Sequence, residues 1–386
     1  MRRQNLDLIL LIAVLFLLLL GVCFVFTASS ARAERLHQDS AFYLKRQMLR
    51  LLLGLLLGFL MMRVDYHKIL QISPLIYVVS LALLVFLLFA PESWMIRGSR
   101  RWLMLGPVQF QPSELAKYGL VFYLAMNLAK PKLDLRKFGD GLAPQLLLIS
   151  AIVIVVALEP DLGSALMIAA VALCLLFLAG AKLAHLFALL STAALVIVAF
   201  TARVAYQRGR VESFLESFLG NAEPAWQVKQ SLIGLGTGGL TGLGLGNSKQ
   251  KLMFLPDPFT DFIMSIIGEE LGLLGALLVI GLFLLILWRG FHIARHAPDQ
   301  EGRLIAWGIT CVIGLGAFIN MAVVMNLLPT TGIPLPFVSY GGTALIMNLI
   351  GVGVLLNISR SGKPAAAKGM SQVPLAKVQW YRDRKR

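Results

Sequence analysis

The feature that most restricts the fold is a recurring run of about 20 apolar residues, a length that lets a helix cross the hydrocarbon core of a bilayer. Such runs follow one another along the chain, and 58% of its 386 residues are hydrophobic while 14% are charged. Soluble domains do not carry this much apolar sequence. The sequence therefore predicts an all-α polytopic membrane protein, a bundle of about ten transmembrane helices.

The charges between the apolar runs predict the orientation. With both termini on one side, Lys and Arg are more frequent on that side, which marks it as cytoplasmic. The net charge of +15 fits basic loops beside anionic lipid, so no nucleic-acid partner is expected. Residues 1–360 are predicted to form the transmembrane domain, with a large extracytoplasmic loop at 203–260, and residues 361–386 a basic, disordered cytoplasmic tail. The predicted spans are roughly 7–27, 46–63, 70–90, 112–129, 143–159, 161–180, 182–202, 261–288, 304–328 and 336–358.

The stretch from Asn247 to Gly272 concentrates acidic residues beside an apolar run. Carboxylates are costly in hydrocarbon and are rarely found there without a partner or a function. Asp257 and Asp261 precede the run, and Glu269 and Glu270 lie at its edge or inside it. Asp261 is the candidate catalytic residue, because it lies where the large loop re-enters the membrane and can stay ionised while it faces a lipid-borne substrate. The alternative is that Asp261 only caps the helix that begins there.

Basic residues in two outer loops are candidate ligands for phosphate or carboxylate groups. The first loop, 91–111, also contains tryptophans, so an ordinary interfacial belt is the alternative. The second loop, 203–260, includes YQRGRVESFLESF, which could lie along the interface as an amphipathic helix. The candidate substrate-binding residues are Arg97, Arg100 and Arg101 in the first loop and Arg208, Arg210, Lys249 and Lys251 in the second.

Glycines in the second loop match the spacing of a dinucleotide-binding fingerprint. These glycines are Gly234, Gly236 and Gly239, but the fingerprint requires a preceding strand in a βαβ unit, which this chain does not offer. We interpret them instead as a backbone that turns tightly and lets a ligand or a neighbouring segment come close.

Two further charged motifs lie near the predicted outer ends of spans. Glu114 and Lys117 are three residues apart and share a helix face, where a charge pair must face protein or a water-filled cavity. They are either a structural ion pair or part of the site. Glu159 and Asp161 flank a proline in a short hairpin, and Asp161 is either an N-cap or points into the same outer cavity as Asp261.

Five longer motifs occur in order along most of the chain: GSRRWLMLGPVQFQPSELAK, EPDLGSAL, QSLIGLGTGGLTGLGLGNSKQK, LPDPFTDFIMSIIGEELG and LLPTTGIPLPFVSYGG. Together they resemble the shape, elongation, division and sporulation family, the FtsW/RodA proteins. GEELG and the early VFTASS resemble the FtsW branch, whereas Thr331 resembles the RodA branch, and the FtsW branch is favoured.

The resemblance implies ten transmembrane helices in the bacterial cytoplasmic (inner) membrane. It implies a peptidoglycan glycosyltransferase that polymerises lipid II into glycan strands at the outer face during cell division or elongation. It also implies two kinds of partner: a class B penicillin-binding protein with transpeptidase activity, and other membrane proteins of the division or elongation machinery.

The resemblance also assigns roles to particular residues. Asp261 matches the essential catalytic aspartate of the family's LPEAHTDF-type motif. Asp257 replaces the common Glu, and Pro258 and Phe259 replace the common Ala-His, so no role for that histidine applies here. Three further residues match the family and are predicted to support the outer cavity and to bind substrate there: Glu114, Lys117 and Asp161.

The expected mechanism is glycosyl transfer with undecaprenyl pyrophosphate as the leaving group. Asp261 would take the proton of the attacking sugar hydroxyl, and the outer cations would bind the pyrophosphate. Whether a divalent cation takes part stays open: Mg²⁺ or Mn²⁺ could be held by Asp261 or Asp257 together with phosphate oxygens. No organic cofactor is expected.

Two other classes of function stay open at this point. A lipid II flippase would show internal repeats and discontinuous helices, and the sequence has no clear repeat between its halves. A non-catalytic scaffold for a transpeptidase would tolerate substitution of Asp261.

Overall fold

Helices form nearly all of the regular structure in this computed structural model, which describes residues 6–95, 99–106, 108–131, 133–191, 205–252 and 254–361. The predicted fold class, an all-α polytopic bundle, is confirmed. In chain order the helices are α1 (Leu8–His37), α2 (Phe42–Arg63), α3 (Tyr66–Leu88), α4 (Pro112–Leu128), α5 (Ala143–Leu158), α6 (Leu162–Leu178), α7 (183 to 191 in the described part), α8 (Ala205–Phe218), α9 (Trp226–Thr237), α10 (Ile263–Arg295), α11 (Gln300–Val324) and α12 (Gly342–Ser361).

Among the described residues, six helices are long and apolar enough to cross a membrane: α1, α3, α5 with the π-helical turn before it, α10, α11 and α12. The first six and last three predicted spans each fall on a helix, although α12 begins at Gly342 and not at 336. The seventh span is helical from 183 to 191, and both 192–202 and the predicted tail from 362 onward lie outside the described residues. The end of the bundle predicted to face away from the cytoplasm is called the outer end below.

α1 is longer than its predicted span, and both of its ends have a local cause. Asp7 is the N-cap, and its Oδ1 accepts the amide of Leu10 at 3.0 Å, while Gln38 ends the helix in the left-handed region. At a rise of about 1.5 Å per residue, 30 residues extend about 45 Å, well beyond roughly 30 Å of hydrocarbon. The last turns of α1 therefore extend beyond the hydrocarbon core, and buried Ser29 and Ala33 show that they still pack against protein there.

α12 is mostly buried and packs closely along α2. A Cβ built on Gly353 would lie 2.1 Å from the carbonyl oxygen of Gly58, and one built on Gly58 would lie 2.7 Å from the carbonyl oxygen of Leu349. Small residues let transmembrane helices approach in this way, because no side chain separates the backbones. This contact fixes the position of α2 relative to the middle of α12.

The outer loops contain more regular structure than the sequence predicted. α8 confirms the helix predicted for YQRGRVESFLESF, whereas α9 was not predicted. Ser231 ties α9 into the bundle, because its hydroxyl lies 2.5 Å from that of Ser265 on α10 and 2.8 Å from the carbonyl oxygen of Val324. The loop at 91–111 contains an unpredicted antiparallel hairpin of β1 (Leu103–Leu105) and β2 (Val108–Phe110).

α10 is interrupted near its outer end. Gly272 has φ 67° and ψ −163°, so a short outer segment, 263–271, precedes the long segment 273–295. The glycine-rich loop crosses this break: Gly242, at φ 82°, lies so close that a Cβ on it would be 2.1 Å from the carbonyl oxygen of Glu270. The predicted tight turn is confirmed at Gly239, with φ 54°, whereas Gly234 and Gly236 lie inside α9 and the close approach to α10 is made by Gly242. The predicted span at 261–288 is confirmed as a membrane-spanning helix, and the break at Gly272 is a feature that the sequence did not predict.

Candidate functional site

Asp261 belongs to a loop of residues 254–262, called the Asp261 loop below, which enters the bundle just before α10. Asp261 is half-buried, and its Oδ1 lies 2.8 Å from Thr260 Oγ1. α10 begins at Ile263, and Phe262 holds the N-cap position. Asp261 therefore lies one residue before the N-cap position, and both of its predicted roles, base and cap, stay predictions.

Hydrogen bonds from two other segments hold the backbone of the Asp261 loop. On α11, Asn320 Nδ2 donates to the carbonyl oxygens of Asp261 and Ile333, both at 2.8 Å. The amide of Tyr340 donates to the carbonyl of Phe259, also at 2.8 Å. The proline-rich segment between α11 and α12 thus braces the loop. Irregular backbone is tolerated at this depth because it is buried in protein.

Asp257 and Phe259 have partners within the protein. Arg32, in the outer part of α1, pairs with Asp257 at 2.9 Å. Phe259 is buried, and its ring centroid lies 4.6 Å from that of Tyr43 and 5.6 Å from that of Tyr340. The family that this sequence resembles commonly has histidine at this position. In this chain the position therefore holds a packed aromatic ring that offers no hydrogen bond.

The N-terminus of α12 lies beside an arginine that the sequence analysis did not single out. Arg50 of α2 places its guanidinium carbon 4.6 Å from the ring centroid of Tyr340 and 3.4 Å from where a Cβ of Gly342 would lie. Within the part of the chain that the structure describes, Arg50 forms no ion pair. A helix N-terminus carries partial positive charge, so two positive features meet next to the Asp261 loop. The only indication of this role in the sequence was that Arg50 lies inside a predicted membrane span.

Asp161 is connected to the same helix start. It is the N-cap of α6, as one of its two predicted interpretations stated, and its Oδ1 accepts the amide of Ser164 at 3.2 Å. Its Oδ2 lies 3.4 Å from Gln111 Nε2, and the amide of Gln111 donates to Thr343 Oγ1 in the first turn of α12 at 3.0 Å. The α5–α6 turn and the loop before α4 therefore converge on the N-terminus of α12.

Arg101 and Arg100, both predicted to bind substrate, contact neighbouring backbone. Arg101 Nη2 donates to the carbonyl of Pro160 at 2.5 Å, and its Nη1 lies 3.5 Å from Asp161 Oδ1. Arg100 Nη1 donates to a carbonyl at the end of α3 at 3.1 Å, while its buried Nε has no hydrogen-bond partner in the described residues. Arg101 is thus committed to the α5–α6 turn, whereas Arg100 keeps a free donor.

Glu159, in the turn just after α5, carries its proton at neutral pH. It is 2% exposed, and burial followed by the nearby Asp161 carboxylate raises its pKa to about 9, against the lowering effect of Arg101.

Glu114 and Lys117 form a buried ion pair on the first turns of α4, with Lys117 Nζ 2.9 Å from Glu114 Oε1. The next residue, Tyr118, donates its hydroxyl to Asn348 Oδ1 of α12 at 2.8 Å. The pair therefore belongs to the α4 face that packs against α12. Contact of Glu114 or Lys117 with substrate stays a prediction.

Two buried glutamates hold the loop that leads to Asp261. Glu269 and Glu270, on the short outer segment of α10, are 1% and 0% exposed, and they bind the backbone of residues 246–250, an arrangement called the glutamate clamp below. Lys251 Nζ lies 3.2 Å from Glu270 Oε1 and supplies a balancing charge. The amide donors are Lys249 and Gln250 for Glu269 (3.0 and 3.3 Å) and Gly246 and Ser248 for Glu270 (2.9 and 3.3 Å), and the Ser248 hydroxyl also donates to Glu269.

The predicted substrate-binding cations are not all gathered at Asp261. Arg208 pairs with an acidic residue one turn further along the exposed face of α8, at 2.6 Å. Lys251 belongs to the glutamate clamp, and Lys249 is exposed while its amide serves the clamp. Arg97 and the side chain of Arg210 lie outside the described residues. Substrate contacts of all these residues stay predictions.

The donor set fits a divalent cation only in part. The described residues contain no group of three or more His, Cys, Asp or Glu side chains that could hold a metal ion. Mg²⁺, however, often uses only one or two carboxylates together with substrate phosphates and water. Asp261 fits that role, whereas the ion pair with Arg32 occupies Asp257.

The sequence of this chain is similar to those of several known proteins. The FtsW/RodA/SpoVE family, described as cell cycle proteins, matches residues 8–363. A probable peptidoglycan glycosyltransferase FtsW from Geobacter sp. (strain M18) is 40% identical over 95% of this chain and 100% of its own. Stage V sporulation protein E from Bacillus subtilis (strain 168) is 38% identical over 93% of this chain and 98% of its own.

Two solved structures share the fold. One is a chain from a study of how a peptidoglycan synthase complex coordinates polymerization and crosslinking, with a TM-score of 0.75 and 31% identity over 92% of this chain and 98% of that chain. The other is the rod shape determining protein RodA of Thermus thermophilus, with a TM-score of 0.68 and 28% identity over 93% of this chain and 98% of that chain.

Proposed function

The chain belongs to the FtsW/RodA/SpoVE family and is a multi-pass membrane peptidoglycan glycosyltransferase, and we propose that Asp261 is the general base with which it polymerises lipid II. The reaction takes place at the outer face of the cytoplasmic membrane, with both chain termini in the cytoplasm. The observation that carries this proposal is a half-buried carboxylate on a braced loop, next to a helix N-terminus and an arginine without an acidic partner in the described residues.

The chemistry requires one proton transfer and one bond exchange. The acceptor sugar hydroxyl attacks the anomeric carbon of the donor, and the bond from that carbon to the diphosphate oxygen breaks. The diphosphate leaves on its lipid with the bonding electrons, and Asp261 takes the hydroxyl proton. A positioned base of this kind typically contributes on the order of 10² to 10⁴ in rate.

The diphosphate needs positive charge close to the base. The N-terminus of α12, a helix of 20 residues, offers backbone amides and a partial positive charge, as helix N-termini do for phosphate groups generally. Arg50 adds a full charge beside Gly342 at that helix start. Arg100 is a further candidate because its buried Nε has no hydrogen-bond partner in the described residues.

A divalent cation remains part of the proposal. Asp261 would hold it together with the diphosphate oxygens, and the ion would add charge to stabilise the leaving group. Arg32 already neutralises Asp257, which makes Asp257 the weaker candidate ligand.

The proposed partner is a class B penicillin-binding protein with transpeptidase activity, which would crosslink the strands as they are made. The similarity to a chain from a peptidoglycan synthase complex supports this partner. The description of the family as cell cycle proteins supports a role in cell division.

The function is tested in proteoliposomes to which lipid II is added from outside, with the transpeptidase partner present. An enzyme makes glycan polymer from this externally accessible lipid II without any transfer across the membrane. Addition of a chelator, followed by Mg²⁺ or Mn²⁺, tests the cation in the same assay. Transfer of lipid II between leaflets with no polymer formed would reject the proposal in favour of a transporter.

A further inference from the structure

We propose that Asn320 is a positioning residue for the catalytic base: its side-chain NH₂ group holds the Asp261 loop and the proline-rich segment together by donating to one carbonyl of each. Asn320 does not touch substrate in this proposal, because it is 1% exposed. The inference rests on the proposed role of Asp261 and adds the device that fixes that residue in place.

The geometry of Asn320 uses both hydrogens of one nitrogen. Nδ2 lies 2.8 Å from the carbonyl oxygen of Asp261 and 2.8 Å from that of Ile333. The acceptor half of the same amide, Oδ1, is buried and has no hydrogen-bond partner among the residues described. An unpaired buried acceptor costs free energy, so the two donated hydrogen bonds must offset that cost. No apolar residue of similar size provides these two donors.

Both carbonyls lie where regular structure supplies no donor. Asp261 precedes α10, and the amide that a longer helix would direct to its carbonyl, that of Ser265, instead donates to Phe262 at 3.0 Å. Ile333 precedes Pro334 in the irregular segment between α11 and α12. A buried carbonyl needs a partner, and Asn320 satisfies both from the rigid end of α11.

The two hydrogen bonds donated by Asn320, called the Asn320 clip below, have a direct consequence for the reaction. The Asn320 clip holds the backbone of the base relative to the segment that continues to Tyr340 and the N-terminus of α12, where the diphosphate is proposed to bind. A displacement of about 1 Å in a reacting group can cost on the order of 10²-fold in rate. Loss of the Asn320 clip should therefore lower kcat and leave KM nearly unchanged.

The test compares Asn320→Leu with a matched control, Asn357→Leu. Asn357 of α12 also donates its Nδ2 to one backbone carbonyl, that of Met62 at 2.9 Å, and it also has a buried Oδ1 without a partner in the described residues. That contact lies toward the end of α2 far from Arg50. Both variants lose hydrogen bonds from a buried side-chain amide to backbone carbonyls, but only Asn320→Leu loses contact with the Asp261 loop.

We expect Asn320→Leu to lower kcat for lipid II polymerisation by about 10- to 100-fold per folded molecule, with KM within about 3-fold of wild type. Asn357→Leu should keep kcat within about 3-fold of wild type. Asn320→Asp, which keeps the size but lacks the NH₂ group, should repeat the kcat loss if the leucine variant does not fold. Folded protein is quantified by size-exclusion chromatography, and lipid II binding is measured on the same samples.

Asp261→Asn is assayed in parallel to separate the two ideas. If Asp261→Asn is inactive but Asn320→Leu and Asn320→Asp match Asn357→Leu in kcat, the positioning role is overturned and the proposed base survives. A rise in KM without a fall in kcat would also overturn it, because that pattern reports lost substrate binding. If Asp261→Asn is fully active, both proposals fail.

Discussion

Glu269→Gln tests how the glutamate clamp holds the loop that leads to Asp261. Glu269 accepts three hydrogen bonds, from the amides of Lys249 and Gln250 and from the hydroxyl of Ser248. Glutamine has nearly the same size, but it removes the charge and presents an NH₂ group to a site built from donors. A hydrogen bond to a charged group contributes about 1 kcal/mol more than a neutral one, so three bonds lose about 3 kcal/mol if they are additive.

That loss should appear as local opening of the loop. Because each 1.4 kcal/mol is a factor of about 10, the amides of Lys249 and Gln250 should exchange with deuterium on the order of 100-fold faster in Glu269→Gln. Hydrogen exchange read by mass spectrometry on peptides that cover 246–252 measures this directly. α9 should keep its protection, because Ser231 ties it to α10 and α11 independently of the clamp.

The control is Glu216→Gln, an exposed glutamate on α8 whose replacement should leave exchange of the clamp unchanged. Exchange in Glu269→Gln within about 3-fold of wild type would refute the calculation, since it would mean that the charge of Glu269 contributes little to holding the loop.

Arg50→Ala should lower kcat/KM for lipid II by about 10- to 100-fold, because that is what the loss of a charge-assisted contact to phosphate costs. The control Arg46→Ala, one turn nearer the outer end of α2, should leave kcat/KM unchanged. Equal effects of the two substitutions would show that Arg50 does not belong to the site. Gly242 and Gly246 share a φ of 82°, but only Gly242 lies against a neighbouring backbone. Gly242→Ala should therefore lower the free energy of unfolding by about 1–3 kcal/mol more than Gly246→Ala, as measured by thermal unfolding. Equal losses of stability would contradict the close approach. Glu159 has a folded pKa of about 9, raised above its ordinary value of 4.5, so the folded state binds more protons than the unfolded state between these values and wild-type stability should fall as pH rises through that window. Glu159→Gln should show a smaller fall in Tm from pH 6 to 9, and an identical slope would show that Glu159 is already ionised.

Apolar length predicted the membrane-spanning helices well, because a span must satisfy its backbone internally whatever surrounds it. The same reasoning missed the break in α10. A glycine within an apolar run is compatible with a straight helix, and only the approach of Gly242 to Gly272 requires the positive φ there. Likewise α9 has a glycine-rich sequence that is typical of a loop, and contacts through Ser231 override that preference.

The sequence predicted those residues of the candidate site whose role depends only on their own chemistry and on their neighbours in the sequence. Asp261 stood out as a carboxylate at the edge of an apolar run, and Asp161 as a residue that caps a helix. Partners distant in sequence were not predictable. Arg101 and Lys251 were assigned to substrate, yet the structure pairs them with Asp161 and Glu270. Arg50 and Asn320 were missed for the same reason: a polar residue inside a span does not reveal which segment it faces.

The central claim is that the Asp261 carboxylate removes the proton from the acceptor hydroxyl. The most direct test measures polymerisation and lipid II binding on the same samples of wild type, Asp261→Asn and Asp299→Asn, a control at the start of α11 that retains a capping side chain. We expect Asp261→Asn to bind lipid II with near wild-type affinity and to polymerise it at least about 10²-fold more slowly, while Asp299→Asn behaves as wild type. Polymerisation by Asp261→Asn at the wild-type rate would contradict the account.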